Sequence, residues 1–454
     1  MLGFETIGNA TIIVHDGVPV LVTDAWITDS AYFGSWGHSH AIPTEQLEAI
    51  KRCKFFWFSH GHPDHLNGES IPLFAGKKIL LPNHVGGRIH GDLAKQGHDV
   101  YVMKDRTWLD LSENVKAMCI SDYNQDAIIL IDVGGRLLVN FNDAGDRGWG
   151  TFVKKTVAAY DKSFMLALSG YGDADMINFF DESGRRVLPP ATLKRPVGEA
   201  IARKLEHYGC KYFVPSSSMH RYQREDSFWA NDFTTPLEAL ATGFDSDRAE
   251  LLPAFIRYNC ETDTYDRINP ASNALVSRPP GDFGDNWSDL LEHGELDEIK
   301  KYLTSIEHLF SFLDFVNFRV GGRDNIVPLA KNRFDRGITF EVPRGSLMTS
   351  VRYEIFDDLL IGNFMKTTLH GRWPKTGLYP DFSPFVAKYA DNGLAKSREE
   401  LRSYFKTYRE RALVDYLRHS LEERTKSVFR SYVSPESEVY RFGRKMYWQL
   451  KTLR

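Results

Sequence analysis

Cysteine is scarce in this sequence: only four of its 454 residues are cysteines, and they lie far apart. There is no Cys-x-x-Cys pair, which excludes a local zinc knuckle and a ferredoxin-type cluster site. The first residues also contain no basic segment followed by an apolar stretch, so we expect no secretory signal. Isolated cysteines in a chain without such a signal predict free thiols and a cytoplasmic protein.

Long apolar runs and an excess of one charge are missing as well. No apolar run approaches the roughly 20 residues that a helix needs to cross a bilayer, so we expect no membrane span. The formal net charge is -4, with charged residues making up 26% of the chain and hydrophobic residues 42%. This balance predicts a globular protein and gives no global field that would attract nucleic acid.

Strand-like and helix-like segments alternate over residues 1 to about 235, which predicts an α/β layered domain. Hairpins are predicted to turn at Gly17 and at Gly134–Gly135. A helix is predicted over residues 288–313. We assign residues 1–260 to a catalytic domain and residues 261–454 to a mostly helical C-terminal extension that packs on it.

The segment KFFWFSHGHPDHLNGES, residues 54–70, places His60, His62, Asp64 and His65 within six positions. Imidazole nitrogens and carboxylate oxygens are the ligands that divalent first-row metals take in proteins. Two histidines at i and i+2 can turn to one point where the backbone leaves a strand, while the next two residues reach a second point nearby. A histidine-rich surface loop is the alternative, but the position directly after an apolar strand favours a site for two metals.

The H-x-H-x-D-H pattern at a strand end resembles the signature of the metallo-β-lactamase superfamily. The segments VTDAWI, LLVNFNDAG and YFVPSSSMH also resemble sequences of that superfamily. The resemblance implies an αββα sandwich with a C-terminal α+β or helical extension. It also implies that Asp143 bridges the two metals, that His220 is a ligand, and that Asp24 orients a ligand histidine from below.

Within that superfamily, several segments are similar to the catalytic part of the CMP-N-acetylneuraminate hydroxylase family. They are DAWITDSAYFGSW, SHGHPDHL, DAIILIDVGGRLLVNFNDAG, LALSGYGDADM and, weakly, YEIFDDLLIGNFMKTTLHGRWP. That family carries a Rieske domain, whose cluster needs two Cys-x-His pairs, and this sequence has none.

The superfamily's third histidine of the first metal site falls near SDYNQDA in this sequence. Counting back from Asp126 makes Asp122 the matching residue. Asn124 is an alternative, and a third reading is that neither of these two residues binds metal. An aspartate there would make the site richer in oxygen ligands, which favours iron or manganese.

Several polar residues outside the motif are candidates for the substrate pocket. Arginines just beyond His220 could bind an anionic substrate bidentately, although solvated surface charges explain them equally well. The GYGDADM segment could shape a pocket or form a plain turn, and it lacks the offsets of a phosphate loop. The pocket candidates are His38, His40, Tyr171, Asp173, Arg221 and Arg224.

Three functions are compatible with these residues. The favoured one is an iron-dependent oxygenase or hydroxylase that oxidises a small polar or anionic metabolite, using O2 and electrons from a separate donor. The alternative is a zinc hydrolase acting on a phosphodiester, amide or lactone, in which Asp64 orients the attacking water. A scaffold protein with a decayed site is the third, and the intact motif argues against it. The predicted metal ligands are His60, His62, Asp64, His65, Asp122, Asp143 and His220, with Asp64 and Asp143 also predicted to be catalytic.

Overall fold

The structure is a computed structural model that describes residues 1–28, 30–173, 177–188, 196–374, 377–379, 381–389, 393–432 and 443. The end of the GYGDADM segment, residues 174–176, therefore lies outside the described residues, as do residues 433–442 and 444–454 of the predicted extension. Within the described part, no helix is both long and apolar enough to cross a membrane. The four cysteines are free and buried, as their spacing predicted.

The first sheet has eight strands in the spatial order β20-β19-β1-β2-β3-β6-β7-β8. Its strands are β1 (Leu2–Ile7), β2 (Thr11–Asp16), β3 (Val18–Thr23), β6 (Phe55–Trp57), β7 (Lys78–Leu81), β8 (Asp99–Val102), β19 (Ile256–Asn259) and β20 (Thr264–Arg267). The second sheet has seven strands in the order β18-β16-β13-β12-β11-β10-β9. Its strands are β9 (Leu109–Asp110), β10 (Val115–Ser121), β11 (Ala127–Val133), β12 (Arg136–Asn140), β13 (Ser163–Leu168), β16 (Tyr212–Ser216) and β18 (Glu250–Leu251).

The two sheets face each other across an apolar core. Phe4 and Trp57 of the first sheet lie in one buried cluster with Ile129 and Ile131 of the second. Successive side chains of a strand point to opposite faces, so the neighbouring Ile128 of β11 packs on the outer face of its sheet. Strand β11 is therefore apolar on both faces, because both are covered.

Helices cover the outer face of each sheet. On the first sheet, α1 (Thr44–Arg52) and α2 (Arg88–Lys95) pack against residues such as Val22 and Phe56. On the second sheet, α3 (Gly150–Val157) and α4 (Gly198–Tyr208) do the same. The layer order is helix, sheet, sheet, helix, which confirms the predicted αββα sandwich of the metallo-β-lactamase fold.

The remaining chain builds a third sheet and a helical layer. The six strands of this sheet lie in the order β15-β14-β24-β23-β21-β22. They are β14 (Phe179–Phe180), β15 (Arg186–Val187), β21 (Phe315–Val320), β22 (Arg323–Pro328), β23 (Arg336–Glu341) and β24 (Lys366–Gly371). The helices of this part are α5 (Glu295–Ser305), α6 (Arg344–Arg352), α7 (Phe356–Ile361), α8 (Ser383–Tyr389), α9 (Arg398–Arg411) and α10 (Leu413–Tyr432).

Sheets are shared across the division assigned at residue 260. Strand β20 follows that residue but belongs to the first sheet, whereas β14 and β15 precede it and belong to the third. The assigned domain boundary stays a prediction. A small fourth sheet, made of β4 (Ser30–Ala31), β5 (Trp36–His38) and β17 (His220–Tyr222), carries His220 beside His38.

Both predicted hairpins are confirmed. Strands β2 and β3 meet at Gly17, and β11 and β12 meet at Gly134–Gly135, where φ is positive at all three glycines. The helix predicted over residues 288–313 is wrong at both ends, since it spans only Glu295–Ser305. Gly294 in the left-handed region precedes it, and a residue in that conformation does not continue a helix.

Candidate metal centre

The histidine motif follows β6 directly, where the chain leaves the first sheet and turns. The backbone amides of His65 and Leu66 both donate to the carbonyl oxygen of His62, at 3.0 and 2.8 Å. This turn folds the six residues of the motif back on themselves. Asp143 reaches the same place from the second sheet, three residues after β12 ends at Asn140.

Three imidazole nitrogens and one carboxylate oxygen converge at the motif. His60 Nε2 lies 2.9 Å from His62 Nδ1. Two atoms that each lie about 2.1 Å from one metal ion are about 3 Å apart, so this pair fits a shared ion. Asp143 Oδ2 lies 4.0 Å from His60 Nε2 and 3.5 Å from His65 Nε2. Its position between these two histidines is the one that a bridging carboxylate requires.

Asp64 is buried beside this group, and both of its oxygens have partners. Asn9 Nδ2 donates to Oδ2 at 2.9 Å, and the Tyr32 hydroxyl donates to Oδ1 at 2.5 Å. The same Oδ2 lies 3.3 Å from His65 Nε2. Tyr32 reaches Asp64 from a left-handed backbone conformation, with φ of 52°, which is uncommon for an aromatic residue and is typical of functional sites.

Asp24 lies behind the motif, where the resemblance placed it. Its Oδ1 accepts hydrogen bonds from the backbone amide and hydroxyl of Ser59, at 2.7 and 3.0 Å. Its Oδ2 lies 3.3 Å from His65 Nδ1. The carboxylate therefore faces one ring nitrogen of His65 and leaves the other directed at Asp64 and Asp143. That arrangement fixes the orientation of a metal-binding imidazole.

His220 lies on the fourth sheet, within electrostatic reach of Asp143. Its ring stacks on Trp36, with centroids 3.5 Å apart and planes 3° from parallel. Asp173 Oδ1 lies 3.6 Å from His220 Nδ1. Burial lowers the pKa of His220 to about 3, despite the nearby negative charge of Asp143. The ring is therefore neutral, which is the form that binds a metal.

Unpaired buried atoms test whether these residues suit a metal. His65 Nε2, Asp143 Oδ1 and both ring nitrogens of His220 are buried and have no hydrogen bond of normal geometry among the described residues. Buried polar atoms are almost always paired, since each unpaired one costs free energy. Four such atoms in one cluster fit a site for divalent cations. His60, His65 and Asp143 alone bring one ligand atom each within 4.8 Å of one another.

The ionisation of the cluster follows from its burial and mutual charges. Burial lowers the pKa of His60, and the neighbouring histidines lower it further. Burial also lowers the pKa of His62, but hydrogen bonding to Asp357 and the surrounding carboxylates outweigh it and raise the value to about 10. Burial raises the pKa of Asp64, whereas His65 opposes the shift. The cluster without metal thus retains protons that metal binding would displace.

The turn between β10 and β11 holds Asp122 and Asp126 in different roles. Asp122 Oδ1 accepts hydrogen bonds from the backbone amides of Asn124, at 2.7 Å, and Asp126, at 3.3 Å. Burial and the neighbouring Asp126 raise the pKa of Asp122 to about 8. Its carboxyl group organises the turn and does not line the cavity described below, whereas Asn124 and Asp126 do.

Asp126 is a second acidic candidate for the ligand position predicted for Asp122, whose own Oδ2 is buried without a hydrogen bond among the described residues, so the prediction of Asp122 stands untested. It directly precedes β11, at the edge of the sandwich that carries the motif. Burial raises its pKa, Asp143 raises it further, and His62 lowers it, so its carboxyl group lies within electrostatic reach of both. The sequence signal that could have identified it is its place at the start of a buried strand.

A cavity of about 260 Å³ opens onto the cluster and is lined from both parts of the chain. The sandwich contributes His60, His62, Asp64, Asp126, Asp143 and Asp173, together with Tyr32, Trp36 and Arg147. The C-terminal part contributes Ile355, Asp357, Asp358, Leu360, Ile361 and Tyr379. The sequence analysis missed these C-terminal residues, although two adjacent acidic residues inside the apolar YEIFDDLLIGNF segment were a usable signal.

Five of the six pocket candidates are engaged away from the cavity that the structure describes, and only Asp173 lines it. His38 stacks on Trp26 at 4.0 Å, and the ring of His40 packs on Phe255. The backbone of Tyr171 pairs with Thr235.

The two arginines do not line the cavity either. Arg224 is fully buried and forms ion pairs with Asp226 and Asp285, at 2.8 and 2.7 Å. Arg221 donates to the carbonyl oxygen of Asn273 at 2.6 Å. Arg147 is the guanidinium that lines the cavity instead.

Comparison with known proteins gives distant relatives. No family model matches the chain. The cytidine monophosphate-N-acetylneuraminic acid hydroxylase of Asterias rubens is 24% identical over 144 residues, which is 30% of this chain. The match spans only 22% of that relative's length.

Among solved structures, CmlA, a diiron β-hydroxylase from Streptomyces venezuelae, is 14% identical to this chain, with a TM-score of 0.37. The match covers 59% of this chain and 54% of the CmlA chain. Igni18, a metallo hydrolase from Ignicoccus hospitalis, is also 14% identical, with a TM-score of 0.35. That match covers 59% of this chain and 98% of the Igni18 chain.

Proposed function

We propose that the cluster holds two divalent metal ions and that the protein is a dinuclear-metal enzyme, with iron as the favoured metal. In this assignment His60, His62 and Asp126 would hold the first ion, and Asp64, His65 and His220 would hold the second. Asp143 would be shared between them. Iron at this position would supply redox chemistry with O2, and the substrate would be a small polar or anionic metabolite.

The observation that carries this proposal is the mixed donor set. The seven side chains supply four imidazoles and three carboxylates, with Asp126 where a third histidine would make the first site nitrogen-rich. Carboxylate ligands suit iron and manganese better than an imidazole-dominated site does. The similarity of this chain to the hydroxylases named above is too low to support the choice of metal.

Residues around the cluster would orient its ligands, line the cavity and bind the substrate. The Tyr32 hydroxyl and the Asn9 amide hold both oxygens of Asp64, so its carboxylate keeps one orientation. Leu360 and Ile361 add apolar side chains to the lining of the cavity. Arg147 lines the same cavity and is our candidate to bind an anionic substrate group.

Electrons would have to come from a separate donor, because the sequence has no Cys-x-His pair for a Rieske cluster. The same observation favours the second candidate, a zinc hydrolase, since hydrolysis needs no electron donor. A zinc pair would supply Lewis-acid chemistry for cleavage of a phosphodiester, amide or lactone.

Turnover with and without oxygen separates the two candidates. Metal-free protein would be loaded with Fe(II) or Zn(II) and offered candidate metabolites, in air or under nitrogen, with and without a reductant. We expect turnover only with iron, air and reductant together. Zinc-loaded protein that turns over without oxygen would rule out the oxygenase and establish the hydrolase, because zinc has no redox chemistry.

A further inference from the structure

The two ring nitrogens of His62 face different parts of the chain. Nδ1 lies 2.9 Å from His60 Nε2, inside the cluster. Nε2 lies 3.3 Å from Asp357 Oδ2, a residue 295 positions away in sequence and in the first turn of α7. The C-terminal part therefore contacts a motif histidine directly, on the side of the ring that faces away from His60.

We propose that Asp357 is a positioning residue for the first metal site: it accepts the Nε2 proton of His62 and leaves Nδ1 as the metal-binding nitrogen. This inference rests on the proposed dinuclear site. A neutral imidazole carries its proton on one nitrogen only, so an acceptor at Nε2 selects the tautomer whose Nδ1 lone pair is free. The carboxylate also restrains the rotation of the ring and raises its basicity as a ligand.

Asp357 is itself held in place from both sides. The side chain of Arg88, at the start of α2, donates to the carbonyl oxygens of Tyr353 and Glu354, at 2.8 Å for Glu354. Phe356 and Leu359 of the same helix are buried in the core of the C-terminal part. These contacts fix the backbone of α7, and with it the position of Asp357 beside His62.

Asp357 faces His62 as Asp24 faces His65. The Asp24 carboxylate lies 3.3 Å from the outer nitrogen of its histidine, and the Asp357 carboxylate lies at the same distance from its own. The difference is one of origin, since Asp24 comes from the sandwich and Asp357 from the C-terminal part. Asp357 therefore couples docking of the C-terminal part directly to a histidine of the first metal site.

Metal titration of the metal-free protein tests the assignment without any assay of activity. Co(II) would be added to wild type, Asp357→Ala and Asp357→Asn, and binding followed by calorimetry and visible absorption. The step that is missing in His62→Ala identifies the first site. We expect Asp357→Ala to weaken that step by about 10- to 100-fold and to leave the second step unchanged. Asp357→Asn keeps an acceptor oxygen, so its loss should be smaller.

Asp297→Asn is the matched control, because this carboxylate lies on the C-terminal part with 83% of its side chain exposed. It should bind both ions as wild type does. An unchanged first step in Asp357→Ala would overturn the inference. A first step that millimolar Co(II) does not restore would also overturn it, because Asp357 would then be a ligand. If wild type binds no metal at all, the proposed function fails instead.

Discussion

The two halves of the metal cluster draw their support from different parts of the chain. Asp64 and His65 are held by Asn9, Asp24 and Tyr32, all within the first 65 residues. His62 is held by Asp357, so the first metal site depends on residues far along the sequence. The C-terminal part contacts a histidine of the first site directly, whereas it reaches the second site only through residues such as Tyr32 and Trp36, on which Ile361 packs.

The turn that carries Asp126 shows the same dependence. Gln125 Nε2 donates to the hydroxyl of Tyr404 at 2.8 Å, and that hydroxyl donates to the carbonyl oxygen of Tyr123 at 2.6 Å. Tyr404 lies on α9, where it is buried. The C-terminal part thus contacts both His62 and the Asp126 turn, and changes at these two contacts should affect the first metal more than the second.

Replacing the shared ligand should produce the largest effect, because it removes the link between the halves. Asp143→Ala should lose at least one of two bound metals and abolish activity, since it takes a ligand from each site. Elemental analysis of the purified protein measures this. Asp161→Ala, at an exposed carboxylate, is the control, and full occupancy of both sites in Asp143→Ala would exclude the bridge.

Replacing the two aspartates of the β10–β11 turn, one at a time, should have different effects on metal content and stability. Asp126→Ala should lower bound metal by about one equivalent, because it removes a ligand of the first site. Asp122→Ala should keep two equivalents but lower the free energy of unfolding by about 1–3 kcal/mol, since two backbone amides lose their acceptor. Elemental analysis and urea denaturation give both numbers. A metal loss confined to Asp122→Ala would restore the assignment made from sequence.

Loss of the Asp24 carboxylate should affect the second site more than the first. Asp24→Asn should weaken the second Co(II)-binding step by about 10- to 100-fold, because His65 loses its orienting carboxylate. The first step should weaken less, because Asp24 reaches His60 only through Ser59, whose hydroxyl lies 2.8 Å from His60 Nδ1. Calorimetric titration measures both steps, with Asp110→Asn, at an exposed carboxylate, as the control. Equal weakening of the two steps would show that the halves are not independent.

Tyr404→Phe should have a smaller effect, and on the first site alone. The change removes one hydroxyl and two hydrogen bonds to the Asp126 turn. We expect a few-fold weaker first step and about 1 kcal/mol lower stability. Tyr353→Phe is the matched control, since the Tyr353 side chain is 65% exposed. A first step that is identical in both variants would mean that the turn holds its shape without α9.

A change remote from both halves should leave metal binding unaltered. Hydrogen bonds from Arg136 and Lys162 hold the pKa of Asp263 well below its usual value. This contribution to stability is complete above the unfolded pKa of about 3.9 and is lost as the pH falls below it. Asp263→Asn should therefore cost about 1 kcal/mol at pH 7 and less at pH 3.5. Urea denaturation of metal-free protein at both values measures it, and an equal cost at the two would contradict the ion pairing.

The site residues that could be predicted from the sequence are those of the sandwich. The motif, Asp143 and Asp24 follow strands or lie in them, and strand order places their side chains at one edge of the sandwich. Their positions are therefore readable from local patterns. Asp122 was chosen by counting across a five-residue turn, and counting does not show which carboxylate the turn's own amides occupy.

The roles of residues in the C-terminal part could not be predicted from the sequence, for another reason. Asp357 meets His62 across 295 positions, and only the packing of α7 and Arg88 brings the two together. The positions of Arg221 and Arg224 away from the cavity could not be predicted either, because their partners, such as Asp285 and Asn273, lie far along the chain. In each case a long-range contact decides the role of the side chain.

The most direct test of the account is the titration of metal-free protein with Mn(II), followed by electron paramagnetic resonance. The account predicts two ions per chain, and a signal from the first ion that the second ion quenches, because Asp143 couples their spins. Replacing Asp143 by alanine should remove that quenching. One ion per chain, or two ions with independent signals, would contradict the dinuclear centre.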